Sequence, residues 1–377
     1  MGFARLVGIG VLASIAALGG LALADPPAGH DFLDDAKTLM VVGACADGPE
    51  YTAAKDIVAA HCKLVHAAQE DYKRDWIAPA QEFFAAHVPA TVPKVVVYPF
   101  AGGDLSTALT VFPDADEITT LSLEPAGDPV ALARLTPAQL KASLAIVAKE
   151  LAFLYKANFS VTMHMVGAMR GGQLPTQLIF SLSALSLHGY ELTGLRYFKL
   201  TPDGDVAYLT DDDIAKIDKT GKSVARRNLA YSNVELRFHK VGATREQIYR
   251  HVMANVDDQN LKSSPGTLRH LEKKGTVAAM TKAASYLLTH EDFHVLRKYL
   301  IDHVDWMVSD STGLPPKYGE PAGFTYETHR AFLTSNMAAG ASVAPVYKKM
   351  FAEQPRGALD FRFGIPMART TAATSSS

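Results

Sequence analysis

The chain has 377 residues, 48% of them hydrophobic and 20% charged, and sets 37 Lys and Arg against 39 Asp and Glu for a formal net charge of −2. That balance leaves no basic face for nucleic acid, since the densest basic pair of the central region is Arg226-Arg227. The length suffices for one large core or two smaller ones, and the composition is that of an ordinary globular protein.

The first residues read as an export signal. Arg5 precedes an apolar run from Leu6 to Leu23, interrupted by Gly19-Gly20, and Ala22-Leu23-Ala24 offers the small-x-small pattern that signal peptidase cuts. The competing reading is an uncleaved anchor, because the run approaches the roughly 20 residues of a spanning helix. The glycine pair and the Ala-x-Ala site favour cleavage, which gives a signal peptide over 1–24. A soluble periplasmic or secreted protein follows, with no stable membrane span after cleavage. Its globular part covers 25–369, and 370–377 reads as a small, polar, disordered tail. Cys45 and Cys62 suit a disulfide in an oxidising compartment. Against the pair stands a helix starting at Pro49, which would carry Cys62 about 18 Å up its axis and out of reach of Cys45. Both states of the pair stay open.

The N-terminal part, about 30–90, reads as helical. Asp31 to Ala44 and Pro49 to His87 carry apolar residues at helical spacing around the turn Asp47-Gly48-Pro49, and Pro79 breaks the second segment. Val95-Val96-Val97-Tyr98 is a continuous run ending at Pro99, a buried strand, and Ile118 to Leu123 is a second, with room for one helix between them. Thr136-Pro137-Ala138-Gln139 opens another helix with a capping box, and Pro175 to Leu187 forms a further one that Gly189 stops. Tyr190 to Thr201 and Asp205 to Thr210 flank Pro202-Asp203-Gly204 as a hairpin, and Val234, Leu236 and Phe238 alternate as in a strand. Thr244 to Val256 is ambiguous, its capping box and 248/252/256 spacing saying helix; from Thr276 onward helices dominate, up to the glycine- and proline-rich stretch after Ser309. The fold class is α/β: a mixed sheet with helices on both faces, a Rossmann-like or methyltransferase-like first βαβ unit and a helical N-terminal segment.

The first unit carries the site expectation. Gly102-Gly103 follows the first strand and Glu124 ends the second, close to the roughly 20-residue spacing at which such an acid meets a ribose. The full Gly-x-Gly-x-x-Gly is missing, and an exported protein has no evident supply of a nucleotide cofactor, so the cofactor stays unknown. The plainer reading is a tight turn at Gly102 and Gly103 with Asp104 capping the next helix. Tyr98, Gly102, Gly103, Asp104 and Glu124 are the candidate ligand-binding residues on either account, because open α/β sheets bind beyond the carboxyl ends of their strands.

The same residues carry a resemblance. Tyr98-Pro99-Phe100-Ala101-Gly102-Gly103-Asp104-Leu105, Phe112-Pro113-Asp114-Ala115 and Leu123-Glu124-Pro125-Ala126-Gly127 resemble the turns of a family of exported bacterial proteins without known activity. Lys282-Ala283-Ala284-Ser285-Tyr286-Leu287 and Asp310-Ser311-x-Gly313-x-Pro315 are similar to later segments of that family. The resemblance covers most of the mature chain. It implies a shared fold and compartment and brings no activity or cofactor.

His290-Glu291-Asp292-Phe293-His294 matches the zinc metallopeptidase pattern, in which two imidazoles one helical turn apart hold the metal and the Glu between them is general base. Glu320 or Glu327 stands downstream as a third ligand. Periodicity opposes this, because the apolar stripes before and after Thr289 are out of phase and Thr289-x-x-Asp292 reads as a capping box. Three functions are therefore weighed: a small-ligand protein, a zinc-dependent hydrolase centred on His290, Glu291 and His294, and a cell-envelope interaction protein without a ligand.

Overall fold

The computed structural model of the protein describes residues 29–157, 167, 172–310, 312–327 and 367–369. The expected signal peptide and tail lie outside these residues. The described strands are β1 (Val95–Pro99), β2 (Glu117–Ser122), β3 (Tyr190–Leu200), β4 (Val206–Tyr208), β5 (Asn233–Lys240), β6 (Gln247–Met253), β7 (Val277–Thr281), β8 (Val304–Ser309), β9 (Phe324–Tyr326) and β10 (Met367–Arg369). They form one mixed sheet in the order β4-β3-β5-β6-β2-β1-β7-β8-β10-β9. β6, β2, β1, β7 and β8 are mutually parallel, and antiparallel strands flank them on both sides.

Helices cover both faces. On one side pack α1 (Leu33–Val42), α2 (Lys55–Tyr72), α3 (Ala78–His87), α4 (Leu105–Val111), α5 (Pro137–Ala157) and α6 (Thr176–Leu187). The connection from β4 to β5 holds α7 (Asp211–Thr220) and α8 (Val224–Ala230), and the second face carries α9 (Asp258–Ser263), α10 (Pro265–Glu272) and α11 (His294–His303). Successive strand residues point to opposite faces. Thus Val96, Tyr98, Ile118, Tyr249 and Met280 enter the first core, and Val97, Leu121, Val252 and Ala279 the second. Burial on both faces explains the unbroken apolar run of β1. The α/β class, the helical N-terminal segment and the β1–α4–β2 unit are as the sequence predicts. The box at Thr136 forms, with Gln139 N–H donating to Thr136 Oγ1 at 3.3 Å and Thr136 N–H to Gln139 Oε1 at 2.9 Å.

Several expectations are corrected. Thr244 to Val256 is no helix: its centre is β6, paired on both edges with β2 and β5. Within it Gln247 donates from Nε2 to the carbonyls of Pro113 and Ala115 at 3.1 and 2.6 Å. Helical turns do fill most of the chain from Thr276 to Ser309, but β7 and β8 also lie there as buried parallel strands that the helical reading did not give. The helix expected from Pro49 starts only at Lys55, after a short turn at Thr52–Ala54. The intervening chain lies back along α2, so Cys45 reaches Cys62 and the two are bonded with Cα atoms 5.3 Å apart. Pro79 marks a change of helix, as expected, through a wider turn at Lys73–Ile77 in which Ala78 N–H reaches back to Lys73 O. The turn absorbs the hydrogen bond that Pro79 cannot make. Among the described residues no helix is long and apolar enough to cross a membrane.

Candidate functional site

Strand order reverses between β1 and β7. The chain steps outward from β1 through β2 to β6 on one side and from β7 to β8 on the other. Ligands of open α/β sheets bind beyond the carboxyl ends at such a point. Two polar groups and a cavity meet there.

The first group centres on Asp104. Gly102, at φ +55, turns the chain after β1, and Asp104 then caps α4, its Oδ1 accepting from Thr107 N–H at 3.2 Å and Thr107 Oγ1 at 2.8 Å. The plainer sequence reading of this turn is what the structure shows. Its Oδ2 accepts from Lys282 Nζ at 2.6 Å and from Tyr98 Oη at 3.2 Å. Lys282, just past β7, also donates to Thr107 Oγ1 at 3.1 Å and lies 5.9 Å from the centre of the Trp76 ring, which the wide turn before α3 presents. Asp104 and Lys282 are 1% and 3% exposed, so the pair is fully desolvated. Burial, then the charge of Asp104, pushes the Tyr98 and Tyr72 phenols well above their ordinary range, and both stay protonated donors.

The second group centres on Glu124. It is fully buried, and neither carboxyl oxygen has a hydrogen-bond partner. Its backbone carbonyl accepts from His251 Nε2 at 2.7 Å, and burial lowers the His251 imidazole, keeping it neutral. The remaining His251 nitrogen, Nδ1, faces Gln177 Nε2 at 3.3 Å, which also donates to Gly102 O at 3.0 Å. Gln177 Oε1 and Ser122 Oγ are likewise buried without a partner. Each such group left without a partner costs about 1–3 kcal/mol.

A cavity of about 140 Å3 opens at the same strand ends. Gly102, Ser122, Val256, Leu287 and Phe293 contribute to its wall, with the half-exposed Leu123 at its edge. Phe100 completes it from a left-handed backbone, φ +63, its ring 5.8 Å from that of Phe293. A non-glycine residue held there is strained by about 1–3 kcal/mol, and such strain gathers at binding sites. A larger hollow of about 410 Å3 lies at the opposite edge, by Lys94, Pro113 and Asp114. None of its walls carries an unpartnered buried side chain among the described residues, and it faces the amino ends of β1 and β2. The smaller cavity is the better candidate.

Of the five predicted residues, Tyr98, Gly102, Gly103 and Asp104 come together, while Glu124 keeps company with His251 and Gln177. The zinc motif does not form one helical turn. His290 is extended at ψ 149, a tight turn holds Glu291–Phe293, and α11 begins only at His294. The box expected at Thr289 is absent too, its hydroxyl donating instead to Tyr286 O at 2.7 Å. Among the described residues the one group of three or more metal-type donors is Cys45, His61 and Cys62, and its sulfurs are bonded to each other. Sequence reasoning missed Lys282, Gln177 and His251 as site residues. Only Lys282 had a signal, as the first residue of a segment that the resemblance covers. Compared with known proteins, the chain matches no family model, no curated protein and no solved structure.

Proposed function

We propose that the protein is exported and binds a small, partly apolar molecule beyond the carboxyl ends of β1, β2, β6 and β7. The observation that carries this reading is the cavity of about 140 Å3, built from four strand ends at the reversal of strand order, with Gly102, Ser122 and Asn255 among its lining residues. Apolar walls with a few convergent polar atoms are the usual make-up of a small-molecule site. Export rests on the signal-like residues 1–24 and on the Cys45–Cys62 bond, which persists in oxidising compartments. The motif resemblance to exported bacterial proteins points the same way. No reaction is assigned to the site.

The test is ligand-observed NMR with a fragment mixture, on the native protein and on Ala284→Trp, whose indole would fill the cavity. Saturation transfer to at least one fragment, lost in a variant that still unfolds cooperatively, is expected. Equal transfer in both proteins, or none in either, would sink the reading and leave an envelope interaction protein without a ligand.

A further inference from the structure

We infer that Cys45, Cys62 and His61 form a redox-gated metal site: when the Cys45–Cys62 bond is reduced, the two thiolates and the His61 imidazole hold a thiophilic cation of the zinc type. None of the three lines the cavity at the strand ends, so the site stands apart from the ligand reading above. Both sulfurs and a nitrogen of His61 lie within 4.8 Å of one another. Zinc holds sulfur at about 2.3 Å and imidazole nitrogen at about 2.0 Å, which puts two ligand atoms of one ion roughly 3.5–3.8 Å apart. Small rotations of the freed side chains reach that spacing.

His61 is what makes the cysteine pair a site. It is 5% exposed, and its Nδ1 has no hydrogen-bond partner. Its Nε2 donates at 3.0 Å to the carbonyl of Gly43, two residues before Cys45. The Leu144 backbone also bears on the ring, but Nδ1 forms no hydrogen bond with it. Burial lowers the imidazole, and a neutral ring that donates from Nε2 carries its free lone pair on Nδ1. Imidazoles that bind metal are held in this way, one nitrogen on the ion and the other donating to a carbonyl or carboxylate. His66, one turn along α2 from Cys62, donates from Nε2 to Cys45 O at 2.8 Å and ties the loop that carries Cys45 to the helix.

Thiolate and imidazole donors favour zinc over calcium or magnesium, and three of them leave a fourth position open. Cys62 is half-buried beside the exposed Lys63, which gives the ion a way in. Loading takes two steps. An external dithiol gives two electrons and two protons to the bond between the sulfurs, becoming a disulfide itself and leaving two thiols on the protein. Zinc then forms two metal–sulfur bonds as both thiol protons leave to solvent. While the protein's disulfide is closed, neither sulfur is a thiolate and the ion is not held.

The test uses the full chain, reduced with excess dithiol, freed of it by anaerobic gel filtration, incubated with zinc and filtered again. Elemental analysis should find about one zinc per chain more in the reduced protein than in the oxidised one. Zinc should also raise the unfolding temperature of the reduced protein and leave that of the oxidised protein unchanged. Reduced His61→Phe should bind zinc at least about tenfold more weakly than the reduced native chain, and Cys45→Ser/Cys62→Ser should lose the extra zinc. Equal zinc in the oxidised and reduced protein, extra zinc kept by the double serine variant, or full affinity in His61→Phe overturns the inference. So does a reduced chain that zinc does not stabilise. The comparison of oxidised with reduced native protein decides the matter even if a variant does not fold.

Discussion

The two polar groups beyond the strand ends each centre on a buried acid, and they differ in whether its oxygens find donors. Around Asp104 each carboxyl oxygen has two donors, supplied by Lys282, Tyr98 and the start of α4. Around Glu124 neither oxygen has one. Both acids follow a parallel strand and both are buried. The first is closed by the protein's own groups and so serves the fold; the second keeps two acceptors that no donor of the protein reaches. Lys282→Met breaks the comparison at its stronger end. It strands Asp104 in the core without its cation, and removing one partner of a buried pair costs about 3–5 kcal/mol. Denaturant midpoints for Lys282→Met and for Asp104→Leu/Lys282→Met measure this, with the double variant expected to recover much of the loss.

A second closed group, on the other face, gives a pH test of the same idea. Arg250 Nη1 donates to Glu117 Oε2 at 2.7 Å, and Lys274 donates to Glu117 Oε1. Burial alone would raise the Glu117 carboxyl, but Lys274 and Arg250 outweigh it and hold it at about 2. Burial, helped by the charge of Lys274, lowers nearby His270 to about 4. Both groups bind fewer protons folded than unfolded, so both stabilise at neutral pH and lose that contribution on acidification. The His270 share should go between an unfolded value near ~6.5 and about 4, and the Glu117 share between ~4.3 and about 2. Together they predict a drop of roughly 5 kcal/mol from pH 7 to pH 3. Glu117→Gln with His270→Phe should flatten the profile; an unchanged slope would show that these closed groups do not set the acid limit.

Gly103→Ala tests how tightly the turn between the two groups is built. A Cβ there would stand 2.5 Å from Phe180 Cδ2, inside the core, so Phe180 or the turn must shift. A loss of about 1–3 kcal/mol is expected by thermal unfolding. Gly103 also shows what the sequence made legible. Its turn, β1, β2 and the acid at Glu124 are local signals: a β-branched run, a glycine pair and a fixed spacing. β6 and β7 were not legible, because strands buried on both faces carry no period and Ile248, Val252 and Val256 happen to fall at helical spacing. Lys282 and Asp104 are 178 positions apart, and only the folded sheet brings them together. The bond between Cys45 and Cys62 stayed open in the sequence for a related reason, since it depends on where a loop runs and not on how far a helix climbs.

The smallest expected effect is also the sharpest divider. Glu124→Met keeps the length of the side chain and removes both unpartnered oxygens. If Glu124 does nothing for the fold, its loss should leave stability unchanged or raise it by about 1 kcal/mol, because a buried acceptor without donors is itself a cost. Set beside Lys282→Met, the two substitutions give the same residue in place of a buried charge-bearing group, with opposite signs expected. A loss as large as that of Lys282→Met would mean that Glu124 holds the strand ends together after all. It would then belong with Asp104 among the acids that serve the fold.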